Sequence, residues 1–271
     1  MKDIASPSTT QYILDKYQLY PKKKYGQNFL IDKKIIEKII SHVQIDHHCA
    51  VIEVGPGIGA LTQQLAKLAG YVRSYEIDTR FQPVYEEFLN EDNIDIQFTD
   101  FLKVNLDELK NLKNKYGKVV LIANLPYYIT TQIIEKVILS TVIDEIVVMV
   151  QKEVALKFTS DYKSPLLLLI KQRGSIDYLF TVSKKVFIPA PHIDSAILKI
   201  TLVHPGDMNL YKVMQLAFHQ RRKTIYNNLK KEYPNILQVL EECHINPQAR
   251  CEQLQLIDYQ NITNLLYQHM I

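Results

Sequence analysis

The sequence predicts an α/β fold organised around a mainly parallel sheet, and two observations carry that expectation. Short apolar, β-branched runs near 50–54, 71–76, 94–98, 119–123 and 145–150 alternate with helical patterns. Such alternation places parallel strands in one sheet with helices on both faces. Four of the runs also end on a residue suited to binding: Gly55, Glu76, Asp100 and Asn124. Ligands of open α/β sheets bind outside the carboxyl ends of the strands, so one such group at each end describes a nucleoside-shaped site.

Residues 1–20 read as a weakly ordered or loosely docked segment. Asp32 is the expected N-cap of a helix that carries Ile35, Ile36, Ile39, Ile40 and Val43 on one stripe. The first strand runs into Val51-Ile52-Glu53-Val54-Gly55-Pro56-Gly57-Ile58-Gly59-Ala60-Leu61-Thr62. Glycines there let the chain turn tightly and let a ligand approach the backbone. The spacing is not that of a dinucleotide site, because the third glycine comes one residue early and a proline intervenes. Glu76 follows Gly55 by 21 positions at the end of the next strand, where an acid can accept from a ribose diol.

The most specific signal is Asn124-Leu125-Pro126-Tyr127 after the apolar run 119–123. Asn supplies a carbonyl acceptor and an NH2 donor. Pro126 pushes Leu125 out of the α region and so aims its carbonyl. Tyr127 supplies a flat face for a base. Together these groups suit the exocyclic amino group of a planar base. Two further strands are expected near 166–172 and 196–202. His204-Pro205-Gly206-Asp207 is a turn cluster, so the expected domains are 1–205 and a small helical domain over 206–271. Helical patterns within the latter fall at 210–218, 236–243 and 262–267.

Composition narrows the function class. The chain has 271 residues, 47% hydrophobic and 23% charged, as a soluble globular protein does. No apolar run approaches the roughly 20 residues of a membrane span. The N-terminus lacks a signal-peptide core, and its first arginine is Arg73, so a cytoplasmic protein is expected. Three cysteines, Cys49, Cys243 and Cys251, fit a reducing compartment. His47-His48-Cys49 has no partner cluster at zinc spacing, so no metal is expected. The net charge is only +3, but it is clustered. Lys22, Lys23 and Lys24 precede Gly26-Gln27-Asn28, and Arg221, Arg222, Lys223, Lys230 and Lys231 lie in a stretch without an acid. Basic clusters give sequence-independent affinity for phosphate backbones. Each motif alone has a plainer reading, as a loop turn or a solvated helix face.

The set as a whole resembles the small-subunit ribosomal RNA adenine-N6,N6 dimethyltransferase family. The resemblance rests on Lys24 to Leu30, Glu53 to Thr62, Glu76-Ile77-Asp78, Asp100, Asn124 to Thr130 and Gln151 to Val154. It extends through Phe187-Ile188-Pro189-Ala190-Pro191-His192-Ile193-Asp194-Ser195-Ala196 and Gln220 to Leu229. One stretch departs from the family pattern. Tyr162-Lys163-Ser164-Pro165-Leu166-Leu167-Leu168 stands where members carry a Tyr-Gly-x-Leu-Ser-Val-like segment.

The resemblance implies a Rossmann-like class I methyltransferase, with a seven-stranded, mostly parallel sheet whose last strand is antiparallel, plus the small all-α C-terminal domain. It implies S-adenosyl-L-methionine as cofactor, held by Asn28, Leu30, Gly55, Gly57, Glu76, Ile77, Asp100, Phe101 and Asn124. Target-base chemistry is expected at Asn124, Leu125, Pro126 and Tyr127, with Phe187 on the other face of the base. As a plainer alternative, Phe187 is a core aromatic before a turn. The implied substrate is a pair of adjacent adenines in a hairpin loop near the 3′ end of 16S rRNA. It would be met within the small ribosomal subunit or its precursor by a monomer, with a role in subunit biogenesis. Competing readings are a large-subunit rRNA adenine-N6 methyltransferase of the macrolide-resistance type and a glutamine or DNA-amino methyltransferase. A third is a non-catalytic ribosome assembly factor. Leu125 and the 220–229 pattern weigh against the first, and Leu125 weighs against the second.

Overall fold

The computed structural model describes residues 3–22 and 25–268. The chain divides into two compact units, one of residues 1–160 with 175–202, the other of 161–174 with 203–271. The second unit thus takes in a segment that the sequence reading placed before the 205 boundary.

The first unit is an α/β sandwich. Its strands are β1 (Phe29–Leu30), β2 (Cys49–Val54), β3 (Tyr71–Glu76), β4 (Ile94–Phe98), β5 (Lys118–Asn124), β6 (Glu145–Gln151), β7 (Gly174–Val182), β8 (Phe187–Ile188) and β9 (Ser195–Leu202). Its helices are α1 (Pro7–Lys16), α2 (Lys33–Ile40), α3 (Ala60–Ala66), α4 (Gln82–Phe88), α5 (Lys110–Tyr116), α6 (Thr130–Ile138) and α7 (Lys152–Phe158). Seven strands form one sheet in the order β4-β3-β2-β5-β6-β9-β7, and β1 pairs with β8 in a separate two-stranded ribbon. Strands β2 to β6 are mutually parallel, and β9 runs antiparallel to β6. The fold is that of the Rossmann-like methyltransferases.

Burial explains the order. All six residues of β2 are buried, and five of seven in each of β5 and β6. Strands apolar on both faces suit the middle of a parallel sheet covered by helices. Each such Val, Ile or Leu stabilises the fold by roughly 1.5–3 kcal/mol on burial. The chain winds outward from β2 through β3 to β4, then returns to add β5 and β6 on the other side. That reversal opens a crevice at the carboxyl ends of β2 and β5.

The N-terminal segment is not loosely docked. Ser6 caps α1, accepting from the Thr9 N–H, while Ile4 and Ile13 are fully buried. The Ile4 N–H donates to Gln63 Oε1 at 3.0 Å, tying the segment to α3.

The second unit is helical: α8 (Pro165–Arg173), α9 (Met208–Phe218), α10 (Ile225–Leu229), α11 (Ile236–Glu242) and α12 (Leu256–Gln268). Helix α9 packs against α8, α10 and α12. The expected strand near 166–172 is therefore helix α8, and the strand comes later, as β7. Ser164 caps the helix by accepting from the Leu167 N–H at 3.3 Å, Pro165 opens it and Gly174 follows it. Leu166 to Ile170 are all buried, so the run has no polar face to mark a helical period. No helix among the described residues is long and apolar enough to cross a membrane.

Candidate active site

At the switch point lies a cavity of about 220 Å³, lined by the carboxyl ends of β2, β3 and β5 and by residues 25–30. Its floor is the glycine turn after β2. Gly57 has a φ of 59°, and a Cβ there would sit 3.2 Å from the Phe29 ring. Gly59 caps α3 at a φ of 88°, with Leu89 Cδ1 2.9 Å from where a Cβ would stand. A side chain at either position meets both a left-handed backbone and a neighbour. The Tyr85 hydroxyl donates to the Gly57 carbonyl at 2.7 Å and locks the turn.

Glu76 stands at the cavity wall, 4% exposed. Its Oε1 accepts from the Ile77 and Asp78 N–H groups, both at 2.8 Å, and its Oε2 from the Gly57 N–H at 3.1 Å. One acceptor position on Oε2 is left open. Burial pushes the Glu76 carboxyl up to about 7 against the pull of those N–H groups, and the Asp78 charge adds to the rise. Ile77, half exposed, lines the cavity beside it.

A second buried carboxylate was not among the site residues expected from sequence. Glu53 is 1% exposed, lines the cavity, and its Oε2 accepts from Thr62 Oγ1 at 2.6 Å and Ser74 Oγ at 2.7 Å. Burial lifts it to about 7 despite these bonds, and the Glu76 charge lifts it further. Among the described residues neither Glu53 nor Glu76 forms an ion pair. The sequence signal was an acid inside the otherwise apolar run of β2.

Asp100 and Phe101 complete the far wall. Asp100 Oδ1 accepts from the Leu102 N–H at 3.0 Å and caps a short turn, and Phe101 is buried against Tyr75 with ring centroids 5.4 Å apart.

Asn124 ends β5. Its Nδ2 donates to the Asn28 carbonyl at 3.2 Å, and Asn28 Nδ2 donates to the Gly26 carbonyl at 3.1 Å. A backbone carbonyl can only accept, so this contact fixes the amide with Nδ2 toward residue 28 and Oδ1 away from it. Leu125 is buried, its N–H donating to Met149 at 3.2 Å, and no described residue donates to its carbonyl. Pro126 precedes a tight turn in which Tyr127 lines the cavity, its hydroxyl 2.8 Å from Ser195 Oγ. Leu30, 6% exposed, and Asn28 close the cavity from the N-terminal side. That segment is pinned by Gln27, which donates to Asp78 Oδ2 at 3.0 Å. Burial alone would raise the Asp78 carboxyl, but hydrogen bonds from Arg80 and Gln27 hold it down at about 2.

Phe187 lies elsewhere. It is 3% exposed, pairs with Leu30 across the β1–β8 ribbon, packs in the main core and does not line the cavity. As placed here it is a core aromatic, the plainer of the two readings. The additional aromatic residues at the cavity are Tyr25, Phe29, Tyr75 and Tyr128, the last 59% exposed. Tyr128 adjoins Tyr127 in the sequence, which was the available signal.

The basic residues separate into two groups. Arg222, Lys223, Lys230 and Lys231 are exposed on the second unit. Arg221 is committed to protein contacts: it donates to the Tyr162 hydroxyl and, at 2.7 Å, to the Lys163 carbonyl, and pairs with Glu252 at 2.7 Å. Its guanidinium also stacks over the Tyr162 ring. Lys22 is partly exposed, 3.9 Å from Asp78, while Lys23 and Lys24 lie outside the described residues.

Comparison with known proteins places this geometry. Residues 19–268 match the family described as ribosomal RNA adenine dimethylase. A ribosomal RNA small subunit methyltransferase A of Staphylococcus haemolyticus is 42% identical, over 95% of this chain and 94% of its own. That of Pediococcus pentosaceus is 39% identical over 97% and 95%. Among solved structures, a dimethyladenosine transferase from Plasmodium falciparum superposes with a TM-score of 0.72 at 24% identity, over 89% of this chain and 98% of that one. The 23S rRNA methyltransferase ErmE gives 0.64 at 25% identity, over 88% and 99%.

Proposed function

Because the chain belongs to the ribosomal RNA adenine dimethylase family, we propose that it transfers methyl groups from S-adenosyl-L-methionine to adenine N6 in 16S rRNA. The product would be N6,N6-dimethyladenosine at two adjacent loop adenines of the small subunit or its precursor. The enzyme would act as a cytoplasmic monomer. The carrying observation is the fixed Asn124 amide beside the undonated Leu125 carbonyl.

The cavity fits the cofactor. Two buried carboxyls raised to about 7, with no ion pair of their own, suit a ligand bearing a cation and a diol. Glu53 would face the ammonium of the methionine part. Glu76 would take the ribose diol, and Asp100 would accept from the adenine amino group. Gly55 and Gly57 admit the ligand close to the backbone, and Phe101, Ile77 and Leu30 supply apolar walls. When bound, S-adenosylmethionine supplies a methyl group already activated on a sulfonium.

The acceptor nitrogen is the harder problem, because the N6 lone pair is delocalised into the ring. Asn124 Oδ1 and the Leu125 carbonyl can each accept one N6–H bond. Two such bonds favour a tetrahedral nitrogen whose lone pair faces the methyl. No strong general base is needed, since the nitrogen becomes acidic only after alkylation. Tyr127 would stack on the extruded base, at roughly 1–3 kcal/mol per stack. An unpaired loop base leaves its stack at least cost.

The test is tritiated methyl transfer to 30S particles from a strain lacking the modification, with 50S particles in parallel. Mass spectrometry of the labelled RNA should show dimethyladenosine. Label in 50S particles alone, or at a pyrimidine carbon, would overturn the proposal.

A further inference from the structure

We infer that Ser195 is a positioning residue for methyl transfer, acting through the Tyr127 ring; this rests on the reading above that Tyr127 faces the acceptor base. Ser195 is fully buried at the start of β9, opposite Gln151 in the β6 register. The residue before it is held from two sides, since the Asp194 carbonyl accepts from the Lys152 N–H at 3.1 Å and Asp194 Oδ1 from the Lys184 N–H at 3.0 Å. Ser195 Oγ is therefore a fixed point on the sheet. Tyr127 sits on a short turn and lines the cavity, with its hydroxyl 2.8 Å from that oxygen.

A tyrosine ring has two rotatable side-chain torsions, and a bond to the hydroxyl at its far end fixes where the long axis of the ring points. The tether sets the position of the ring before any base arrives, so placing it costs nothing at the moment of reaction. Without the tether the ring can swing at the cavity mouth. Base and methyl donor would then meet in the right geometry less often. Cofactor affinity should be indifferent, because the Ser195 hydroxyl bonds Tyr127, the residue assigned to the acceptor base.

A purely structural role predicts something different, and a double-mutant cycle separates the two. Ser195→Ala leaves the Tyr127 hydroxyl without its partner, Tyr127→Phe leaves a buried serine hydroxyl without its partner, and the double variant removes both groups. The double variant should recover stability, since no orphan polar group remains. It should not recover turnover, since the ring stays untethered.

We expect single-turnover methylation of unmodified 30S particles to fall about tenfold in each single variant and by the same factor in the double, the scale of one hydrogen bond. The dissociation constant for S-adenosylmethionine should stay unchanged, and the melting temperature of the double variant should approach that of the unsubstituted protein. An unaffected rate in Ser195→Ala, additive losses, or recovery of rate together with stability would each overturn the inference. Tyr127→Ala separates it from the reading beneath it. A wild-type rate there would overturn the role of Tyr127 itself. A crippled Tyr127→Ala beside an unaffected Ser195→Ala would overturn only that of Ser195.

Discussion

Glu53 and Glu76 share one cavity, and both carboxyls rise from 4.5 to about 7. Each shift corresponds to roughly 3 kcal/mol. The sign follows from proton uptake. Between about pH 4.5 and 7 the folded chain binds protons that the unfolded chain has released. The stability from these protonated forms is full below about 4.5 and is lost as pH rises through 7. A ligand that needs both carboxylates ionised must displace those protons. Binding of S-adenosylmethionine should therefore weaken as pH falls from about 8 to about 6 and release protons on the acid side. Calorimetry in buffers of different ionisation enthalpy measures that release, and Glu53→Gln should remove part of it. An affinity flat across the range would take these carboxylates away from the ligand. Glu76→Ala should cost roughly 1.5–3 kcal/mol of cofactor binding, as hydrogen bonds to charged groups do. Asn124→Ala should behave oppositely. It should retain much of its cofactor affinity while the single-turnover rate falls at least about a hundredfold, because its oxygen acts on the acceptor amine in the transition state. Glu76, Asp100 and Asn124 were legible in the sequence because each is a polar residue at or just past the end of a strand-like run. Glu53 was overlooked because it lies inside such a run. The position of Phe187 was not legible, since an aromatic beside Ile188-Pro189 reads as a stacking surface first and as a core residue second until the β1–β8 pairing is known.

At the scale of elements, the parallel strands and their order of appearance were legible from alternating apolar runs. The segment 165–173 was not, because five consecutive buried leucine and isoleucine side chains carry no period. Its ends held the better information: a Ser-Pro start, and a glycine after Lys171 and Arg173 in the last turn. This helix begins inside the stretch 162–168, and Arg221 holds the start of that stretch. The guanidinium bonds Tyr162 through Nη1 and Lys163 and Glu252 through Nη2, a spread of donors that a planar fork provides and a single compact ammonium nitrogen does not. Arg221→Ala and Arg221→Lys should therefore both lower the melting temperature by several degrees and speed amide exchange around 161–165. Neither change should alter the salt dependence of RNA binding. If Arg221→Lys melts like the unsubstituted protein, charge alone suffices and the fork geometry is irrelevant.

At the scale of the whole molecule, the cavity lies in the first unit, and the exposed cations Arg222, Lys223, Lys230 and Lys231 lie in the second. Removing charge from the second unit should thus leave cofactor binding untouched. Phosphate contacts release counterions, so their number appears as the slope of log affinity against log salt. Changing Arg222, Lys223 and Lys230 together to Ala should weaken binding to unmodified 30S particles. The slope should flatten by about one unit for each lost contact, about three if all three cations meet phosphate. Arg221 is excluded from this set because its terminal nitrogens are already engaged by Tyr162, Lys163 and Glu252 within the protein. The measurement is particle affinity over a series of salt concentrations for the unsubstituted and triple-substituted proteins. Cofactor affinity measured beside it shows that the first unit is intact. Parallel lines would mean that these side chains form only a solvated face. A flattened slope with unchanged cofactor affinity would assign the second unit to the RNA backbone and leave recognition of the base to the cavity.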